Sequence, residues 1–342
     1  MAYRRQIDRS MRLPKEVGKV LICGLGSIGK RHLKNLRQYW KGLEIAILRS
    51  GYGPYCQEIE LADQVFTALS DSLLWKSDAA IICTPANKHL ITALPFARNG
   101  IPLLIEKPIG SGKELQADWE ELIGLSVRVP IEVGYVLRHD PCTDVVKNYI
   151  HEGKIGKIIE ADFYCGSWLP DWRPGFDYRD CVSANQALGG GVLLELSHEL
   201  DLAQYLFGQV ELHSAILHQS GLLEIDVEDQ AQLLAYSADQ CLISIRLNFC
   251  TRPSSRYVKI RGESGEVHWD LITNTVKVLH ADASNVTFFQ SPISSDERYL
   301  IQMEHFLLLA AGKAEPLSSV SGSLRVLDIA NKARDINCDH KF

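Results

Sequence analysis

Residues 20–29 read Val-Leu-Ile-Cys-Gly-Leu-Gly-Ser-Ile-Gly, an apolar run that breaks into Gly24-x-Gly26-x-x-Gly29 and leads into Lys30-Arg31-His32-Leu33. A strand that turns through three such glycines into a helix has the layout of a dinucleotide-binding βα unit. Gly24 permits the tight turn, Gly26 lets backbone approach a pyrophosphate, and Gly29 lets helix and strand pack closely. Ser27 and Ile28 complete the loop. A diphosphate placed there meets free N–H groups and the positive end of a helix dipole.

The second apolar run, Leu43–Leu48, ends in Arg49-Ser50-Gly51. A site selective for NAD carries Asp or Glu at this distance from the glycines, to hold the ribose 2′-hydroxyl. An Arg there pairs with a 2′-phosphate and stacks on adenine, and Ser50 adds a hydroxyl donor. The expected cofactor is therefore NADP. The competing reading makes Arg49 a solvated loop residue in a protein that accepts NAD as well.

The chain has 342 residues, enough for two domains, and its composition is that of an ordinary globular protein. A net charge of −6 gives no reason to expect nucleic acid or an anionic membrane as partner. Met1–Gly18 carries five basic residues but no apolar core, so it reads as an arm rather than a signal peptide. The nine cysteines contain no Cys-x-x-Cys pair. Several lie in apolar strand-like runs, which fits reduced thiols in a cytoplasmic protein without disulfides or a metal site.

Further along, strand and helix patterns alternate. Asp78–Cys83 is a buried-type strand ending in Thr84-Pro85. A helical run from Asn87 to Asn99 stops at Gly100, and Pro102–Ile105 is a further strand ending in Glu106-Lys107-Pro108. This alternation implies a parallel sheet, whose ligands bind at the carboxyl ends of the strands. The glycine turn, Arg49, Thr84-Pro85 and Glu106-Lys107 all fall at such ends.

From about residue 130 the pattern becomes period-two. In Leu242–Cys250, Ile243, Ile245, Leu247 and Phe249 share one face, and Ser244, Arg246 and Asn248 the other. Similar runs at 158–166, 211–218, 228–236 and 256–262 imply a mainly antiparallel sheet covered on one face by helices at 192–207, 299–311 and 322–336. The expected organisation is an arm (1–18), a Rossmann dinucleotide-binding domain (19–130), and an antiparallel-sheet domain for substrate and oligomerisation (131–342). The open sheet face predicts a homodimer or homotetramer.

Taken together, these segments resemble the Gfo/Idh/MocA family of glucose-fructose oxidoreductase-like and inositol dehydrogenase-like proteins. The resemblance rests on Gly24–Gly29, Thr84-Pro85 with His89, Glu106-Lys107-Pro108, Gly134-Tyr135 with Arg138, Ile155-Gly156-Lys157-Ile158, and Gly189-Gly190-Gly191 leading to Glu195, His198 and Asp201. It implies a nicotinamide-dependent oxidoreductase acting on CH–OH groups of sugars or polyols. It also implies that Lys107 lies beside the nicotinamide and holds the reacting oxygen, with Thr84, Pro85 and Glu106 lining the cofactor pocket and His198 relaying the proton.

In the family the acidic residue on the helix after the glycines is Asp, four residues before the His. Here it is Glu195, three before His198, a spacing that still shares a helix face, so both are expected to look into the cleft. Glu195 is a catalytic candidate, with a substrate-orienting or structural role as the equal alternative. Asp201 and His89 read as structural, and Arg138 is a substrate-binding candidate. In the segment 168–179, Trp168, Trp172 and Tyr178 offer stacking surfaces, and Arg173 and Arg179 forked donors for a carboxylate or phosphate. Against this stands a self-packed loop in which Arg and Asp pair with each other. Trp-Leu-Pro-Asp-Trp-Arg-Pro is similar to a branch of the family linked to bacterial surface polysaccharides, which implies an anionic or nucleotide-linked sugar. Two other readings remain open: an enzyme that recycles its bound dinucleotide, and a non-catalytic dinucleotide sensor.

Overall fold

The computed structural model describes residues 14–51, 55–281 and 286–339. Most of the arm expected at 1–18 lies outside them. Within the chain two compact units form: residues up to Val136 together with Asp296–Leu324, and Leu137–Ser295 together with the chain from Arg325 onward.

The first unit is built on β1 (Lys19–Cys23), β2 (Glu44–Leu48), β3 (Gln64–Phe66), β4 (Ala79–Ile82), β5 (Leu103–Ile105) and β6 (Ile131–Val133), interleaved with helices α1 (Ser27–Tyr39), α2 (Leu69–Leu74), α3 (Ala86–Arg98) and α4 (Gln116–Ser126). All strand pairs are parallel, in the order β3-β2-β1-β4-β5-β6. That order places a reversal of direction at β1, where dinucleotide folds of this class bind their ligand. The central strands are continuous apolar runs, as a sheet covered on both faces requires: Val20–Cys23 and Ala79–Ile82 are wholly buried.

The second unit opens with α5 (Pro141–His151), capped by Asp140, whose side chain accepts the Cys142 N–H. There follow β7 (Ile158–Trp168), the short α6 (Val192–Glu195), α7 (His198–Phe207), and β8 (Val210–His218), β9 (Gln230–Ser237), β10 (Leu242–Asn248), β11 (Cys250–Gly262), β12 (Gly265–Asp270), β13 (Thr275–His280) and β14 (Val286–Gln290). They form one eight-stranded sheet, antiparallel except where β7 runs parallel to β10. Register puts Ala161, Phe163, Cys165, Ile243, Ile245 and Leu247 on the buried face. On the other face Arg246 Nη2 bonds Asp162 (2.8 Å) and Tyr257 Oη (2.7 Å), and Tyr164 stacks on Tyr257 at 5.3 Å. Leu234 and Phe288 stand exposed on that same open face.

The chain ends with α8 (Glu297–Ala310) and α9 (Val320–Asp339). Leu300, Met303, Phe306 and Leu307 of α8 join the core around Val20, Leu33 and Trp40. A single boundary at 130 therefore does not describe the chain, because the apolar stripe of α8 covers the first sheet rather than the second. Among the described residues no helix is long and apolar enough to cross a membrane.

Candidate active site

The glycine turn has the geometry its residues suggest. Gly24 adopts φ +96°, and a Cβ there would come 2.6 Å from the Cys83 carbonyl oxygen. A Cβ on Gly29 would strike the Gly24 carbonyl. Gly26, by contrast, has nothing within 4 Å of a Cβ position. It is the N-cap of α1 and, being glycine, offers no side chain to cap it. The first turn of α1, with exposed Ser27 and half-buried Ile28, is where a helix start attracts an anionic group. Arg49 is half-buried and Ser50 exposed at the end of β2, the backbone of Arg49 being tied to Phe66.

At the end of β4, Thr84 Oγ1 is buried with no hydrogen-bond partner among the described residues, beside exposed Pro85. An orphaned hydroxyl and an open glycine at a helix start fit a nicotinamide dinucleotide lying along these strand ends. His89 is 2% exposed and faces two carbonyl oxygens, Pro108 at 2.8 Å from Nδ1 and Thr84 at 2.6 Å from Nε2. Only a protonated ring donates both bonds, while burial pushes its pKa down. Lys107 is half-buried between buried Glu106 and Pro108, and the Lys107–Pro108 bond is cis.

Glu106, expected to line the cofactor, instead turns its carboxylate inward: Oε1 meets His32 Nε2 at 2.7 Å and Oε2 accepts the Lys107 N–H at 3.2 Å. His32 was not singled out from the sequence. The signal was there, because Gly29, His32, Leu33 and Leu36 form the buried stripe of α1 and His32 is its one ionisable member.

In the second unit, Arg138 is held by Asp201, Nη2–Oδ1 2.6 Å and Nε–Oδ2 2.9 Å, and packs on the Tyr205 ring at 4.6 Å. Burial pushes the Asp201 carboxyl up, opposed by the Arg138 charge. The bidentate grip gives Arg138 a structural task where a substrate contact was expected.

The continuous helix expected over 192–207 is broken. α6 ends at Glu195, Leu196 leaves helical geometry (φ −99°, ψ 28°), and α7 starts anew after Ser197. Glu195 and His198, both half-buried, therefore lie on either side of a break, and their i, i+3 spacing does not place them on one helix face. Glu228, also unremarked in the sequence, secures the start of α6: its carbonyl accepts the Val192 N–H at 3.0 Å and its carboxylate reaches the Leu193 N–H at 3.4 Å. Gly191, at φ +105°, leaves the room that carboxylate occupies.

The 168–179 segment is extensively self-paired. Arg179 bonds Asp177 (2.6 Å) and Glu224 (3.0 Å), and Tyr178 Oη accepts the Glu224 N–H. Trp172 Nε1 donates to Ser167 and its ring meets Phe249 edge-on. Trp168 lies under Arg252, which grips Asp171 through two bonds. Arg173 is exposed. Beside this segment Arg179, Asn185, Gln219, Glu224 and Asp226 line an open cavity of about 540 Å³.

Comparison with known proteins agrees with this layout. Residues 18–128 match the oxidoreductase family with NAD-binding Rossmann fold, and residues 144–268 match the GFO/IDH/MocA C-terminal domain. Scyllo-inositol 2-dehydrogenase (NAD(+)) of Bacillus subtilis is 26% identical over 222 residues, 61% of each protein. Inositol 2-dehydrogenase of Rhizobium meliloti is 23% identical over 91% of this chain and 94% of its own length. Levoglucosan dehydrogenase, solved with NADH and levoglucosan, superposes with a TM-score of 0.79 at 18% identity, covering 96% of this chain and 98% of that one. The WlbA dehydrogenase of Bordetella pertussis, solved with NADH and UDP-GlcNAcA, gives 0.74 at 19% identity, covering 95% and 98%. A parallel sheet whose strand ends frame the glycine turn and Lys107, followed by a large mainly antiparallel sheet, and matched by both family models, makes this chain a member of the Gfo/Idh/MocA family of oxidoreductases.

Proposed function

We propose that the protein oxidises a CH–OH group of a sugar or polyol, or reduces the corresponding ketone, with a nicotinamide dinucleotide as hydride carrier. The observation that carries this reading is the row of features at the strand ends of the first sheet: the open Gly26 at the start of α1, the orphaned Thr84 hydroxyl, and Lys107. A dinucleotide held by the glycine turn and Thr84 would supply the hydride acceptor. Lys107 would hold the substrate oxygen and stabilise negative charge there in the reverse direction. His198 is the proposed acceptor and relay of the hydroxyl proton, and Glu195 the proposed group that orients His198 or a substrate hydroxyl.

NADP is the proposed preference, with the 2′-phosphate at Arg49 and Ser50, and NAD the alternative. The proposed substrate is anionic or nucleotide-linked. Arg138, Trp168, Trp172, Arg173, Tyr178 and Arg179 are the proposed substrate-binding residues. A homo-oligomer formed through the open face of the large sheet, and a cytoplasmic location, belong to the same reading.

The test is nicotinamide absorbance during turnover with myo-inositol, scyllo-inositol, levoglucosan and a UDP-linked uronic acid, each with NAD and NADP. Oxidation of one of them that is abolished in Lys107→Ala supports the proposal. Turnover at wild-type rate in that variant overturns the role of Lys107. Tight dinucleotide binding without oxidation of any of them would favour the sensor reading.

A further inference from the structure

Two buried imidazoles, one from α1 and one from α3, hold the two sides of the Glu106-Lys107-Pro108 turn. On one side, His32 is wholly excluded from solvent, and its Nε2 lies 2.7 Å from the Glu106 carboxylate. The other carboxylate oxygen accepts the Lys107 N–H. A Cβ on Gly134 would come within 2.9 Å of that oxygen, so the carboxylate occupies a cradle that depends on glycine. On the other side, His89 places Nδ1 2.8 Å from the Pro108 carbonyl oxygen, a bond that either the neutral or the protonated ring can donate.

We infer that His32, acting through Glu106, and His89, acting through Pro108, are positioning residues that fix the backbone on either side of Lys107 and so aim its side chain. The inference rests on Lys107 being the residue that meets the substrate oxygen. A lysine side chain is a flexible four-carbon stem, and the fold controls it mainly through its root. Errors of about an ångström at a reacting group reduce turnover by roughly a hundredfold, and support of this kind comes from hydrogen-bonded neighbours on rigid elements. Packing alone would be served by an apolar residue. The stripe of α1 otherwise uses Gly29, Leu33 and Leu36, and the burial cost of the imidazole, whose Nδ1 has no hydrogen-bond partner among the described residues, is offset through the single Nε2 bond to Glu106.

The experiment compares His32→Leu, which keeps the volume and removes the donor, with His32→Gln, which returns an N–H near the Nε2 position. Gly134→Ala, which presses on the Glu106 carboxylate and leaves both histidines in place, carries the test if His32→Leu does not fold. His89→Leu and His89→Gln form the matching pair on the other side. The position of Lys107 is read without any substrate, by reductive methylation with ¹³C-formaldehyde and ¹H–¹³C spectra, its signal being the one lost in Lys107→Arg. Melting temperature and NADH affinity are measured alongside.

The expected result is a displaced Lys107 signal in both leucine variants and in Gly134→Ala, returned toward the wild-type position by glutamine, with NADH affinity unchanged. On a substrate found by the turnover screen, kcat falls roughly ten- to a hundredfold in the leucine variants and recovers with glutamine. A Lys107 signal unmoved in all of these variants overturns the inference, as does a glutamine variant that restores melting temperature but neither the signal nor kcat. Full turnover by Lys107→Ala together with a displaced signal would refute the proposed role of Lys107 and leave the positioning intact.

Discussion

The guanidinium of Arg138 closes on both carboxylate oxygens of Asp201, at 2.6 and 2.9 Å, with the two side chains 10% and 1% exposed. Removing one partner leaves a charge buried without its counter-ion, a loss of about 3–5 kcal/mol in such pairs. Arg138→Met is expected to lower stability by that order in urea unfolding, while Arg138→Met with Asp201→Leu recovers most of the loss. Equal stability of Arg138→Met and wild type would show that the pair carries no structural load.

Gly24 sits at φ +96° with the Cys83 carbonyl in the path of any side chain. Gly24→Ala is expected to lose roughly 1–2 kcal/mol from the backbone conformation alone, with the clash added to it. Thermal unfolding checks this, and an unchanged melting temperature would mean that the turn has another conformation.

In the proposed reading Arg49 carries the cofactor preference. Arg49→Ala is expected to weaken NADPH binding about tenfold or more, the scale of one charge-assisted phosphate contact, and to leave NADH binding within about twofold. Parallel fluorescence titrations with the two dinucleotides decide it. Equal weakening of both would make Arg49 an adenine-stacking or structural residue.

Burial pushes the Cys241 thiol up to about 11, with Glu160 adding to the effect, and burial raises Cys23 as well. The folded protein thus keeps the Cys241 proton that the unfolded chain, with its ordinary value of 9.0, has begun to lose. Stability linked to this group is complete below that value and declines as pH rises through about 11. Mass spectrometry after iodoacetamide treatment at pH 8 should find Cys56, which is partly exposed, alkylated ahead of Cys23, Cys83 and Cys241. Early labelling of Cys241 would contradict the burial of its strand end.

Much of the fold could be read from local pattern. The glycine spacing and the buried runs at β1, β4 and β5 reveal the parallel sheet, because a two-sided core demands uninterrupted apolar strands. Period-two alternation in β10 likewise identifies the half-covered sheet. The contacts that join distant segments were not legible. The stripe of α8 shows that the helix buries one face, but not which sheet it covers. The break at Leu196 leaves no glycine or proline as a marker, and Glu228, which secures the start of α6, lies more than thirty residues downstream. Lys107 was visible through its strand-end motif. Its supports at His32 and Gly134 were not, because their relation to Glu106 exists only once the strands are side by side.

The central claim, that a nicotinamide dinucleotide lies on the turn at the start of α1, is tested most directly by fluorescence titration of wild type and Gly26→Val with NADPH and NADH. Space around Gly26 is open, so the variant is expected to fold and melt like wild type. Saturable binding by wild type, weakened at least tenfold in Gly26→Val at unchanged melting temperature, is the expected result. Binding of neither dinucleotide by protein purified without bound cofactor, or equal binding by the variant, would contradict it.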